Sequence, residues 1–166
     1  MSEVGKSTNQ KTESTPKAKK PSRSQLRSAS RSFALQAMYQ WQMNQSSVND
    51  IEAQFAVDHD LATCDKVYFR ELLQGVAVRT KQLDELFETL LDRPLAELDP
   101  IELSILRISS YELTERLDVP YRVVINEGVE LAKSFGATES HKYINGILDK
   151  LAQRVRREEI AARRAK

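Results

Sequence analysis

Between Asp99 and Leu117 the chain is committed to a helix that has to be surrounded. Asp99 is a good N-cap, Pro100 suits the first helical position, and Glu102 stands three residues after the cap, as in a capping box. Ile101, Leu103, Ile105, Leu106, Ile108, Leu113 and Leu117 then cover most of the circumference. A surface helix shows one apolar stripe; a helix that is apolar nearly all round is buried, so other elements must pack around it. Ser109 and Ser110 are small enough to let those neighbours come close.

The neighbours read as helices as well. No segment sustains period-two alternation, and only five prolines and five glycines punctuate the 166 residues. The first helix is predicted from about Ser28 to Gln45, with Phe33, Ala34, Ala37, Met38 and Trp41 on a core face and a second stripe of Leu35, Tyr39 and Met43. Others follow at about Val48–Val57, Asp65–Lys81 and Leu83–Leu91, the last ending before Pro94. Pro120 opens a sixth helix, Gly136 is expected to close it in the left-handed conformation, and Thr138 to cap a seventh. The prediction is an all-α, compact bundle of about seven helices with short connections.

Charge divides this chain into a body and two ends. Residues 1–32 hold eight Lys/Arg and two Glu, and residues 150–166 hold seven Lys/Arg and two Glu, yet the net charge of the whole is only +1. The body therefore carries a strong negative excess between two basic ends, which fits a polyanion met at one place on the surface. Residues 1–25 contain almost no large apolar side chain and are expected to be a disordered basic extension. Residues 26–156 form the helical domain, and 157–166 a charged tail with no core of its own. No apolar run approaches the roughly 20 residues that cross a bilayer, and there is no secretory signal, so no membrane role and a cytoplasmic location are expected.

Catalytic chemistry finds little support. A phosphate-binding Gly-rich loop, an HExxH pair and a recognisable Ser-His-Asp context are all lacking, and one cysteine with two histidines does not make a zinc site. In Glu139-Ser140-His141, adjacent helical residues project about 100° apart and cannot form a relay alone. Cys64 lies beside Asp65, which disfavours its thiolate. No metal, cofactor or catalytic residue is expected. Binding chemistry is better represented. Arg23, Arg27 and Arg31 recur every four residues, so they share one side if the first helix starts early. Positive charge there gains nothing from the helix macrodipole, which points to another use, such as phosphate. On the seventh helix Lys142, Asn145 and Gly146 avoid the apolar stripe, and Tyr143 sits at its edge as a possible platform for a base. Glycine within a helix costs about 1 kcal/mol relative to alanine. At Gly146 either another backbone or a ligand comes close, and both remain open.

Four stretches carry a family resemblance: ALQAMYQWQ at Ala34–Gln42, YFRELLQGV at Tyr68–Val76, LRISSYEL at Leu106–Leu113, and VPYRVVINEGVELAKSFGATESHKYINGILDK at Val119–Lys150. In order and spacing, over roughly Arg27 to Arg156, the chain resembles the NusB family of bacterial transcription antitermination factors. The resemblance implies two three-helix subdomains around a long shared helix and a non-enzymatic role. It also implies binding of single-stranded boxA RNA in nascent ribosomal RNA transcripts, as a heterodimer with the ribosomal protein NusE. Other Nus factors and RNA polymerase join the complex, and a homodimer is a further arrangement in such proteins. Carried onto matching positions, RNA contact falls on Arg27, Arg31, Glu139, Lys142 and Tyr143, and partner contact on Tyr39 and Glu102. A similar helical domain precedes an RNA methyltransferase domain in some enzymes, but no Gly-rich cofactor-binding segment is present in this chain.

Overall fold

A computed structural model describes residues 19–165, and among these there are seven α-helices and no strand. They are α1 (Arg23–Asn44), α2 (Val48–Asp58), α3 (Lys66–Phe87), α4 (Pro100–Glu115), α5 (Tyr121–Phe135), α6 (Ser140–Val155) and α7 (Arg157–Arg164). Helices α1, α2 and α3 pack on one another, as do α4, α5 and α6, and α4 also lies against α1 and α3. Every residue from Ser104 to Leu113 is buried, Arg107 and Glu112 included, so the helix expected to be surrounded is indeed the centre. Close approach is achieved by small residues on both sides. A Cβ on Gly75 of α3 would fall 2.4 Å from the Tyr111 ring, and one on Gly128 of α5 would lie 3.0 Å from the Ser109 hydroxyl. Phe55, Phe69 and Phe87 fill the space between the helices, and burying each contributes about 1.5–3 kcal/mol.

The sevenfold count is divided differently from expectation. The segments predicted at 65–81 and 83–91 are one helix, α3, which bends at Arg79 (φ −111°, ψ 17°) instead of ending. The Thr80 hydroxyl donates to the carbonyl of Val76 at 2.9 Å, a back-bond of the kind that bends helices. The seventh helix is α7, from the stretch expected to be a tail without a core. Arg156, itself buried, donates to the carbonyls of Leu113 at 2.7 Å and Arg116 at 2.9 Å, closing the C-terminal end of α4. Glu159 accepts the Tyr121 amide at 3.1 Å, capping α5. Ile160 packs on the core beside them.

Three local expectations change. Helix α1 begins at Arg23, where Ser22 and Gln25 make the reciprocal capping box, so residues 22–25 are ordered structure and not part of a disordered extension; residues 1–18 lie outside the described range. At α4, Asp99 caps the amides of Ile101 and Glu102, while the Glu102 carboxylate turns inward. Gly136 is extended (φ −91°, ψ 176°), and Glu139 rather than Thr138 precedes α6. Glycine at 136 is required by space: a Cβ would sit 2.8 Å from the carbonyl of Ala132 and 2.9 Å from Ser140 Cβ.

Candidate nucleic-acid and partner interface

The early start of α1 puts Arg23, Arg27 and Arg31 on one side, facing the loop into α5. With Asp118, Val119 and Pro120 they line a cleft of about 310 Å³. The three arginines have different fates. Arg23 is exposed. Arg27 is half-buried, with its guanidinium carbon 4.4 Å from the centroid of the Tyr68 ring. Its Nε is enclosed with no hydrogen-bond partner among the described residues, and its charge acts on Asp118 across the cleft.

Arg31 departs from expectation. Its side chain is only 3% exposed; Nε and Nη2 hold the two carboxylate oxygens of Glu112 at 2.8 and 2.9 Å. Glu127 stands 3.7 Å away and accepts the Ser28 hydroxyl at 2.7 Å. The buried Tyr68 hydroxyl donates to Glu112 as well. Burial works against the charge on Arg31, but the hydrogen bonds and attraction of Glu112 outweigh it and hold the guanidinium protonated. Burial, then the Glu112 charge, pushes the Tyr68 hydroxyl up. An arginine committed on two edges inside the protein does not reach a phosphate in solvent. Arg31 and Tyr68 meet instead on the Glu112 carboxylate, and Arg27 lies on the Tyr68 ring.

At the other end of α4 stands the second group. Gln42 donates to the Ser104 hydroxyl at 2.8 Å, so α1 runs antiparallel to α4. The ten positions from Glu102 to Glu112 correspond to about 15 Å along the helix. The arginine cleft and the start of α6 thus lie at opposite ends of α4, so the residues expected to contact RNA fall into two separated groups. At the start of α6, Lys142 and Glu139 pair at 2.9 Å, both 70% exposed. Such a surface pair is worth about 0–1 kcal/mol, so both groups are free to exchange it for another partner. Tyr143 is half-buried and anchored: its hydroxyl donates to Asp92 at 2.8 Å, and Arg93 lies 5.0 Å from its ring centroid. Hydrogen bonds from Arg93 and Tyr143 hold the Asp92 carboxyl down at about 2. Asp92 and Arg93 were missed from sequence, because they sit in a loop before Pro94 with no periodicity to assign them.

Of the two partner candidates, Tyr39 is 37% exposed and continues into the exposed Met43, whereas Leu35 of the same stripe is wholly in the core. Glu102 is 93% buried on the same end of the molecule, and burial pushes its carboxyl up, against the help of Ser140 and Arg93. Cys64 is also buried, which raises its thiol, and among the described residues no three His, Cys, Asp or Glu side chains gather as a metal site. No described helix is long and apolar enough to cross a membrane.

This helical arrangement has close counterparts. Residues 28–153 match the NusB family. The chain belongs to the NusB family. It is 72% identical over 166 residues to the transcription antitermination protein NusB of Marinomonas sp. (strain MWYL1), covering 99% of this chain and 95% of that one. It is 57% identical over 145 residues to the protein of that name from Pseudomonas entomophila (strain L48), 87% of either chain. A solved structure of T. maritima NusB superposes with a TM-score of 0.68 at 30% identity, over 76% of this chain and 90% of that one. NusB proteins are antitermination factors and not enzymes, in keeping with the chemistry above. The NusB match includes Arg31, Tyr39, Glu102, Glu139, Lys142 and Tyr143; it leaves out Arg27 by one position and all of α7.

Proposed function

We propose that this chain binds single-stranded boxA RNA of nascent ribosomal RNA transcripts together with NusE, and joins other Nus factors on RNA polymerase to suppress termination. The observation that carries this reading is Tyr143. At a helix start its hydroxyl is bonded to Asp92, Arg93 lies over its ring, and an exposed lysine stands beside it. A pre-oriented aromatic with cationic neighbours stacks on an unpaired base at little entropic cost, worth about 1–3 kcal/mol. Lys142 and Arg27 supply phosphate contacts, and Glu139, released from Lys142, accepts from a base edge. Tyr39 and Glu102 stand at the same end as Tyr143, so NusE docked there would extend the RNA surface instead of covering it. Action on a nascent bacterial transcript places the protein in the cytoplasm.

The decisive measurement is affinity for a boxA RNA and for a scrambled RNA of equal composition, each with and without NusE. Preference for boxA that grows with NusE is expected. Equal affinity for both RNAs in the presence of NusE would reduce the function to polyanion binding.

A further inference from the structure

Helix α7 lies beyond the segment matched by the NusB family, yet it is not a loose appendage. Arg156 and Glu159 tie it to the end of α4 and the start of α5, and this sets its last turn against the first turn of α5. Between them runs a groove of about 700 Å³ whose lining includes Tyr121, Arg122, Asn126, Ile160, Arg163 and Arg164. The carboxylate in it is Asp149, which accepts from Gln153 at 3.4 Å. Glu159 is close by but already held by Arg156 and the Tyr121 amide. Arg163 and Arg164 form no ion pair with any described residue, and Arg122 has only the Tyr121 hydroxyl, 3.2 Å from its Nε.

Two further facts point to an anion. Arg122 stands in the first turn of α5, where the macrodipole disfavours a cation; stability alone does not account for it. The groove also adjoins the arginine cleft. Val119, Pro120 and Val123 line the cleft that holds Arg23 and Arg27, while Tyr121, Arg122 and Asn126 line the groove, so the first turn of α5 is the wall between them. Arg23 and Arg27 of α1 and Arg163 and Arg164 of α7 thus lie on either side of that turn.

We infer that the groove between α5 and α7 binds the phosphodiester backbone of RNA flanking the boxA element, continuing the path that passes Arg27. This rests on the RNA reading above and adds a second stretch of contact to it. Arg122, Arg163 and Arg164 neutralise phosphates, and Asn126 adds a neutral hydrogen bond; Tyr121, the aromatic in the lining, is buried and offers no face for stacking, so the contact is indifferent to sequence.

The test uses the full chain with NusE and two RNAs: one limited to boxA, the other carrying boxA with flanking nucleotides on both sides. The longer RNA is expected to bind more tightly. R122Q/R163Q/R164Q is expected to erase that advantage, to lower the salt slope for the longer RNA by about 1.4–2.1 at roughly 0.7 per phosphate, and to leave the short RNA unaffected. Glutamine keeps the helix propensity, and none of the three side chains anchors α7, so the circular dichroism spectrum and melting temperature should hold. An equal affinity of the native chain for both RNAs, or an advantage that survives in the triple variant, would overturn the inference while the boxA reading stands. No binding of either RNA by the native chain would remove both. Loss of the long-RNA advantage on Tyr143→Ala but not in the triple variant would place the flanking contact at α6 and likewise overturn it.

Discussion

Arg31 of α1 and Glu112 of α4, 81 positions apart, face each other edge to edge at 2.8 and 2.9 Å in the interior of the protein. The pair binds the first helix to the central one and, through the Tyr68 hydroxyl that Glu112 also accepts, orients the aromatic ring beneath Arg27. A residue spaced like its exposed neighbour Arg23 is in fact buried and paired inside the protein.

Breaking that pair from one side leaves a buried charge alone. Arg31→Met or Glu112→Gln is expected to cost about 3–5 kcal/mol of stability, whereas Arg31→Met combined with Glu112→Leu should recover most of it. Urea denaturation of the three variants checks this. If Arg31→Met unfolds like the native chain and only loses RNA affinity, the residue contacts RNA after all.

Arg27 should behave in the opposite way. Its guanidinium gains a cation–π contact with Tyr68, worth about 0.5–1 kcal/mol at a partly exposed site, so Arg27→Gln should lower stability by no more than that. Affinity for boxA RNA should fall and the salt slope shrink by about 0.7, the value for one phosphate on a single strand. Titrations at several salt concentrations give both quantities.

At Tyr143 the ring and the hydroxyl are separable. Tyr143→Ala should weaken boxA binding about tenfold or more, in line with about 1–3 kcal/mol for a stacked base, with the helical spectrum intact. Tyr143→Phe removes the bond to Asp92 but keeps the face and should bind nearly as well. Retained affinity in the alanine variant would end the stacking role.

Gly146 is exposed, and a Cβ built there meets nothing within 4 Å. A neighbouring backbone from the described residues is thereby removed as the reason for glycine. Gly146→Ala should stabilise α6 by up to about 1 kcal/mol. It lies one turn beyond Lys142 and Tyr143, so the same change should weaken RNA binding. Thermal melts and RNA titrations of this one variant should move in opposite directions; an alanine that stabilises without loss of affinity would show that the RNA stays clear of that turn.

Glu102 carries a pH signature. Its carboxyl is raised in the folded protein above the ordinary 4.5, chiefly by burial, so the native state holds its proton where the unfolded chain has lost it. Below pH 4.5 both states are protonated and the group contributes nothing; as pH climbs through the raised value its ionisation costs stability. Glu102→Gln should therefore raise the melting temperature at pH 7, with the gain vanishing below pH 4.5, and should weaken assembly with NusE. A melting temperature unchanged at pH 7 would mean that the carboxylate is well solvated.

The helical character and the central position of the helix after Asp99 were legible in the chain alone, because periodicity and capping act over a few residues and repeat along each element; Leu117, expected on that helix, lies exposed beyond its end, and the family was legible from the four matching stretches. Periodicity tells which side chains share a face, but not what that face meets. Arg23, Arg27 and Arg31 are equivalent by spacing; only the arrival of Glu112 and Tyr68 from distant helices makes the third a buried anchor and leaves the second open to an anion. In the same way, nothing local distinguishes Arg157–Arg164 from a solvated tail. Its placement depends on Arg156 finding the unfilled carbonyls at the end of α4 and Glu159 the free amide at the start of α5. The residues themselves determined the helical character, the cap at Asp99 and the surplus of charge. Tertiary structure decided which charges are spent inside the protein and which remain for a partner, because a charge is stable in the interior only where the fold brings its complement.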